Sequence, residues 1–249
     1  MNTIPPEPAP ITPFAVRDCA LLTLSTGVGA ENLKEFHEGL QRVPESSIYH
    51  HFWGRLLRPQ FDEPEYSNDF ASWAYHHLRE KALAERLSTV DPTEFDTLET
   101  LRQELLEVVE QALDENPVVP WLRAEQPFAF VRSQIIVFDS GQRFATPREM
   151  AESMARLPLG AVYYHFIDAR RRTENRRDDF SVWVDSWGPD YTPLCDALRS
   201  LDPYFSSLKE IRRMLASTFA RFFDLPGESE DPEGAPPGAV FGPRKRRRA

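Results

Sequence analysis

The sequence predicts a mainly helical α+β fold made of two similar tandem halves related by a pseudo-two-fold axis. Three observations lead there. A motif occurs twice: Tyr49-His50-His51-Phe52 followed by Asn68-Asp69-Phe70-Ala71-Ser72-Trp73 returns as Tyr163-Tyr164-His165-Phe166 followed by Asp178-Asp179-Phe180-Ser181-Val182-Trp183. One short apolar run precedes each copy, Val16–Ser25 and Phe130–Asp139. Most of the remainder carries apolar residues at helical spacing. A repeat outranks local patterns, because it sets the whole architecture.

The repeat is long. Matches 114 residues apart run from Pro13/Pro127 through Gly27/Gly141, Glu35/Glu149, Pro44/Pro158, Tyr49/Tyr163 and His51/His165. The spacing falls to 110 at Asp69/Asp179 and Trp73/Trp183, which puts extra residues in the Arg58–Ser67 loop of the first copy. The chain then divides into a disordered lead-in (1–12), a first repeat (13–115), a linker (116–126), a second repeat (127–225) and a disordered tail (226–249) with a basic end.

Each element has its own justification. Ile135-Ile136-Val137-Phe138 is β-branched and aromatic and reads as a buried strand; Leu21-Leu22-Thr23-Leu24 holds the same place in the first copy. Gly27 and Gly141 are expected to end these runs in turns. A lone strand leaves backbone groups unpaired, so the two strands are expected to pair with each other. Asn32-x-x-Glu35 and Thr146-Pro147-Arg148-Glu149 are N-terminal helix signals, and Pro44 and Pro158 end those helices. Ser47 is suited to cap a second helix that turns His51 or His165 toward its apolar side. Asn68-Asp69 and Asp178-Asp179 are suited to cap a third, with Phe70 and Trp73 or Phe180 and Trp183 on its inner face. Leu83/Leu87 and Leu194/Leu198 mark a fourth helix, and the runs from Leu98 and Leu208 a fifth.

Composition narrows the function. The chain of 249 residues is 41% hydrophobic, enough for a packed core, and no apolar run approaches the ~18 residues of a membrane span. Its N-terminus lacks a basic start and an apolar segment, so no signal peptide is expected. Cys19 and Cys195 do not match between copies, which favours a reduced, cytoplasmic protein without a disulfide. The net charge is −10 although Arg244-Lys245-Arg246-Arg247-Arg248 crowds five positive charges at one end. An acidic body repels nucleic acid and anionic lipid, leaving only that tail as a contact for either.

No motif identifies a reaction. Nucleophile-elbow, phosphate-loop and dinucleotide signatures are absent, and no histidine spacing supports zinc, so neither cofactor nor metal is expected. The candidate site is His51 with Asp69 and His165 with Asp179, bordered by Tyr49, Tyr163, Trp73 and Trp183. A histidine beside a carboxylate can act as a base or hold a small polar ligand, and aromatic rings next to carboxylates suit sugars. The competing structural reading makes each pair a clamp that locks two helices, since buried polar groups need partners in any fold. His37, His50 and the pair His76-His77 have no counterparts in the second copy; the last is read as solvated or capping.

The pattern Phe14…Ser25-Thr26-Gly27…Leu33-Lys34-Glu35-Phe36…Val43-Pro44-x-Ser46-Ser47-Ile48-Tyr49-His50-His51 resembles the family known as domain of unknown function 5752. Asn68-Asp69-Phe70-Ala71-x-Trp73, Leu83-Ala84-Glu85-Arg86-Leu87 and Asp91-Pro92 followed by Leu98-x-x-Leu101-Arg102 share in the resemblance, which spans residues 13–225. It implies no established activity, and an occurrence in bacteria and archaea near glycosyltransferase or trehalose-type genes. Tyr164 departs from the His-His pair, so His51 and His165 are the common position. The expectation is an accessory or small-ligand-binding protein linked to carbohydrate metabolism, with a groove between the halves. An enzyme of hydrolytic or sugar-modifying type and a protein-interaction module are the alternatives; an apolar patch left exposed would favour the module.

Overall fold

The structure is a computed structural model that describes residues 11–57, 65–115, 118, 121–173 and 175–226. Expectations for 1–10 and for the basic tail lie outside the described residues. The fold is α+β. Strand β1 (Phe14–Ala30) is followed by α1 (Leu33–Arg42), α2 (Glu45–Trp53), α3 (Asp69–His76), α4 (Lys81–Ser88) and α5 (Leu98–Glu115). Strand β2 (Phe128–Phe144) is followed by α6 (Pro147–Ser153) and α7 (Leu159–Val162), which runs through a π-helical turn (Tyr163–Asp168) into α8 (Ala169–Arg172). Then come α9 (Asp179–Asp185), α10 (Thr192–Arg199) and α11 (Leu208–Phe222).

The two strands pair antiparallel, from Phe14 opposite Phe144 to Ala30 opposite Phe128, with Leu21 facing Ile135 at the middle. Both strands are longer than expected, because Gly27 and Gly141 do not end them. They sit at register shifts inside the ladder, at φ 76° and 77°. Freed backbone groups at these bulges are taken by side chains: Thr26 Oγ1 donates to the Phe130 carbonyl at 2.6 Å, and Ser140 Oγ to that of Val16 at 2.7 Å. A hydroxyl supplies what the interrupted ladder cannot, so the strand continues.

Each strand end is buried against the helices of the other segment. Phe128 and Phe130 of β2 meet Phe36 at ring separations of 5.2 and 5.5 Å, and Phe36 stacks on Trp73 at 5.0 Å. Phe14 of β1 meets Phe180 at 5.4 Å and Trp183 at 5.5 Å. One lobe therefore consists of α1–α5 around the start of β2, and the other of α6–α11 around the start of β1. Apolar faces read from helical spacing fill these cores, with Leu33, Phe36 and Leu40 buried in one and Met150, Met154 and Leu157 in the other.

The helix caps are largely as the sequence predicts. Asn32 accepts from Glu35 N–H and Thr146 from Glu149 N–H; the reciprocal capping box of Ser207 and Glu210 is an addition of the structure. Ser47 is the exception. Helix α2 starts after Pro44, and Ser47 Oγ instead donates to the Val131 carbonyl at 2.8 Å, tying α2 to β2.

Replacing either bulge glycine by alanine forces a side chain into left-handed backbone. Gly27→Ala and Gly141→Ala are each expected to lower the unfolding free energy by about 1–2 kcal/mol, read from urea denaturation. An unchanged midpoint in both variants would show that the ladder does not impose this geometry.

Candidate functional site

The candidate histidines lie where helices meet strands. His51 enters from α2 and His165 from the π-helical turn; both are buried, at 3% and 4% exposure. His51 Nδ1 lies 2.9 Å from Asp69 Oδ2, and its Nε2 accepts the Val131 N–H at 3.2 Å. His165 Nδ1 lies 2.8 Å from Asp179 Oδ2, and its Nε2 accepts the Arg17 N–H at 2.9 Å. A nitrogen that faces an N–H must be the unprotonated one. This network assigns the ring proton to Nδ1, donating to the carboxylate, and makes each imidazole a neutral bridge.

Both bridges reach from one lobe to the strand supplied by the other segment. Two tryptophans reach the residues just ahead of each strand: Trp73 Nε1 donates to the Gln126 carbonyl at 2.9 Å, and Trp183 Nε1 to that of Thr12 at 2.8 Å. Apolar rings enclose the imidazoles, with Phe128 4.8 Å from His51 and Phe14 4.8 Å from His165. The carboxylates are not the helix caps: Asn68 and Asp178 cap α3 and α9 by accepting from Ala71 and Ser181 N–H. That leaves Asp69 and Asp179, in the first turn, to orient the histidines.

Tyr49 and Tyr163 are brought together rather than placed beside the histidines. Tyr163 OH donates to Tyr49 OH at 3.0 Å, and Tyr49 OH donates to Asp168 Oδ1 at 3.2 Å. Burial pushes both phenols well above their ordinary pKa. Arg171 holds Asp168 at 3.0 Å and lies over the Tyr49 ring. Arg172 bridges Asp168 at 2.9 Å and Asp179 at 3.0 Å, joining this network to the second histidine. Asp168, Arg171 and Arg172 were not among the sequence candidates, because Asp168 and Arg171 stand where the first segment has the uncharged Gly54 and Leu57. Their one local signal is an acid followed at i+3 and i+4 by arginines.

Of two clefts among the described residues, neither borders both histidines. One cleft of about 380 Å³ is bordered by His51, Asp69, Ser72, Trp73 and His77; another of about 370 Å³ is bordered by Thr12, Asp179, Val182 and Trp183. Each runs beside one lobe, and His165 borders neither. His77 ends α3 and places a buried Nδ1 without a partner, while His37 pairs with Glu110 at 2.8 Å and His50 with Ser133 at 2.5 Å. No group of three metal-ligating side chains occurs among the described residues, and no described helix is long and apolar enough to cross a membrane.

The fold and site define a two-lobed, mainly helical α+β protein laced through a shared strand ribbon by neutral histidines. The chain belongs to the family of unknown function DUF5752, whose family model matches residues 11–220. It is similar in structure to OrfY from Thermoproteus tenax, with 30% sequence identity and a TM-score of 0.73 over 86% of this chain and 96% of that one. No curated protein matches.

The cysteines make a direct check on packing around the ribbon. Burial, with Asp18 adjacent, pushes Cys19 up to about 12, and burial also raises Cys195. Both thiols are expected to resist a disulfide reagent at pH 8 until denaturant is added; rapid labelling of Cys19 in the native protein would contradict the closed β1–α7 contact. Tyr49→Phe removes the acceptor of Tyr163 and is expected to cost about 1–3 kcal/mol of stability, measured by chemical denaturation. A loss below a few tenths would mean the tyrosine pair is not held shut.

Proposed function

We propose that this chain is a non-catalytic binding protein, an accessory or interaction module, whose two lobes are copies of one unit related by an approximate dyad through Leu21 and Ile135. The observation that supports this most directly is the state of the histidines: both nitrogens of each ring are engaged, one by a carboxylate and one by a strand N–H. A general base needs a lone pair within reach of its substrate. Here the lone pair is spent on backbone, in an apolar enclosure, and in the same way twice.

A binding role also has a surface to work through. Leu22, Ile136 and Phe138 remain 46%, 50% and 48% exposed on the ribbon. Grouped apolar side chains left in water on an ordered element are a feature of interaction sites. The second reading, a small polar ligand such as a sugar beside Asp69, is favoured by the unpartnered His77 Nδ1 at that cleft.

The double variant His51→Ala/His165→Ala separates the readings. As clamps, the histidines leave two strand N–H groups without an acceptor when removed, and each carboxylate loses one hydrogen bond. The expected loss is about 1–3 kcal/mol for each, seen as a lowered midpoint in thermal and urea unfolding. A wild-type midpoint, with calorimetric binding of a monosaccharide or sugar phosphate present in the parent and lost in the variant, would overturn the clamp in favour of the cleft.

A further inference from the structure

We propose that the outer face of the β1–β2 ribbon is an interface for a second copy of this chain, packed face to face about a two-fold axis that runs across the strands. This rests on the reading of the chain as an interaction module and names its partner. Strand alternation places Asp18, Ala20, Leu22 and Leu24 on the same face as their cross-strand partners Phe138, Ile136, Gln134 and Arg132. The opposite face is the one directed at the protein, with Cys19 buried and Leu21 and Ile135 packed against the core.

The strand edges are already occupied near the start of each strand. Ser47 and His51 engage the carbonyl and N–H of Val131, His165 engages Arg17 N–H, and Cys19 Sγ contacts the Gly160 carbonyl. A partner strand is obstructed at those positions, while the stretch between them turns Leu22, Ile136 and Phe138 outward on the face. That face is apolar at matching positions of the two segments, Leu22 with Ile136 and Leu24 with Phe138. A patch with this internal correspondence is suited to meet itself, as an isologous interface requires.

Charge points to the same occupant. Asp18 stands at one end of the face, half-buried with its Oδ1 accepting the Cys19 N–H at 2.8 Å beside Gly160, and Arg132 stands at the other. Arg132 is exposed and makes no hydrogen bond or ion pair among the described residues. A two-fold axis across the strands lays the Asp18 end of each ribbon over the Arg132 end of its partner, so both copies gain an opposite charge. With the two-fold axis along the strands instead, like ends would meet.

Sedimentation equilibrium of the full chain from low to high micromolar concentration tests this. The expected result is a concentration-dependent mass above that of the 28.7 kDa chain. Ile136→Lys should weaken association about tenfold or more. Asp18→Arg should weaken it as well, and Asp18→Arg/Arg132→Asp should recover it, with unfolding midpoints confirming that each variant folds. A dimer indifferent to Ile136→Lys, or a charge-reversed double variant no better than the single one, would overturn the interface. A single-chain mass at every concentration would also overturn it. If that monomer still binds an apolar dye on the face, and Ile136→Lys abolishes the dye signal, the interaction-module reading stands without a second copy; a monomer with no such signal removes both.

Discussion

A strand N–H that loses its ladder partner at a bulge must find another acceptor or stay buried and unsatisfied, and in this protein a neutral imidazole supplies it. His51 takes the N–H of Val131 and His165 that of Arg17, each next to an interruption of the β1–β2 register. The carboxylate on the other side of each ring fixes the tautomer that makes this possible. Much of the architecture follows from that constraint. The helix that carries the histidine has to lie against the edge of the strand, the edge is thereby closed, and the strand end is drawn into a core of aromatic rings. Burial of those rings excludes the water that would otherwise compete for the N–H.

The exchange of strands gives the clamp its reach. A histidine that bound its own segment's strand would stabilise one lobe alone. Because each lobe is completed by the strand of the other segment, the same bond ties the lobes together. The aromatic contacts of Phe128 with Phe36 and of Phe14 with Phe180 run in parallel with it. The directional bond sets position, and the apolar contact supplies most of the free energy.

The two lobes are not equivalent in their polar chemistry. In the second, Arg172 joins Asp179 to Asp168, and through Asp168 to the tyrosine pair, so the clamp is part of a network reaching across the molecule's middle. The π-helical turn between Tyr163 and Asp168 lets α7 and α8 present Tyr163, His165 and Asp168 as buried residues of one short stretch. Widened turns of this kind place side chains that a regular α-helix would spread around its surface.

Local chemistry made much of this legible from residue order. Asn32-x-x-Glu35, Thr146-Pro147 and the apolar spacings of α5 and α11 act within a few residues, so they specify helix starts and buried faces wherever the chain goes. The β-branched run Ile135-Ile136-Val137 marked a strand but not the buried one expected, since a two-stranded ribbon has one covered face and Ile136, Val137 and Phe138 stay exposed; pairing of the two strands followed from the need to satisfy lone backbone groups. The partnership of His51 with Asp69 and of His165 with Asp179 was also within reach, since it joins neighbouring helices of one segment. What lies on the far side of each imidazole was not. An acceptor for Val131 or Arg17 is chosen only when a strand from the other segment arrives, and nothing near His51 in the chain records that. The same holds for Gly27 and Gly141, which locally read as turns and become bulges because a partner strand continues past them, and for Ser47, drawn from capping a helix to holding a carbonyl. Sequence by itself determined the elements and their inward faces, because those depend on short-range sterics and periodicity. Tertiary structure alone decided which lone pair meets which N–H, because that depends on chain segments brought together only when the lobes close.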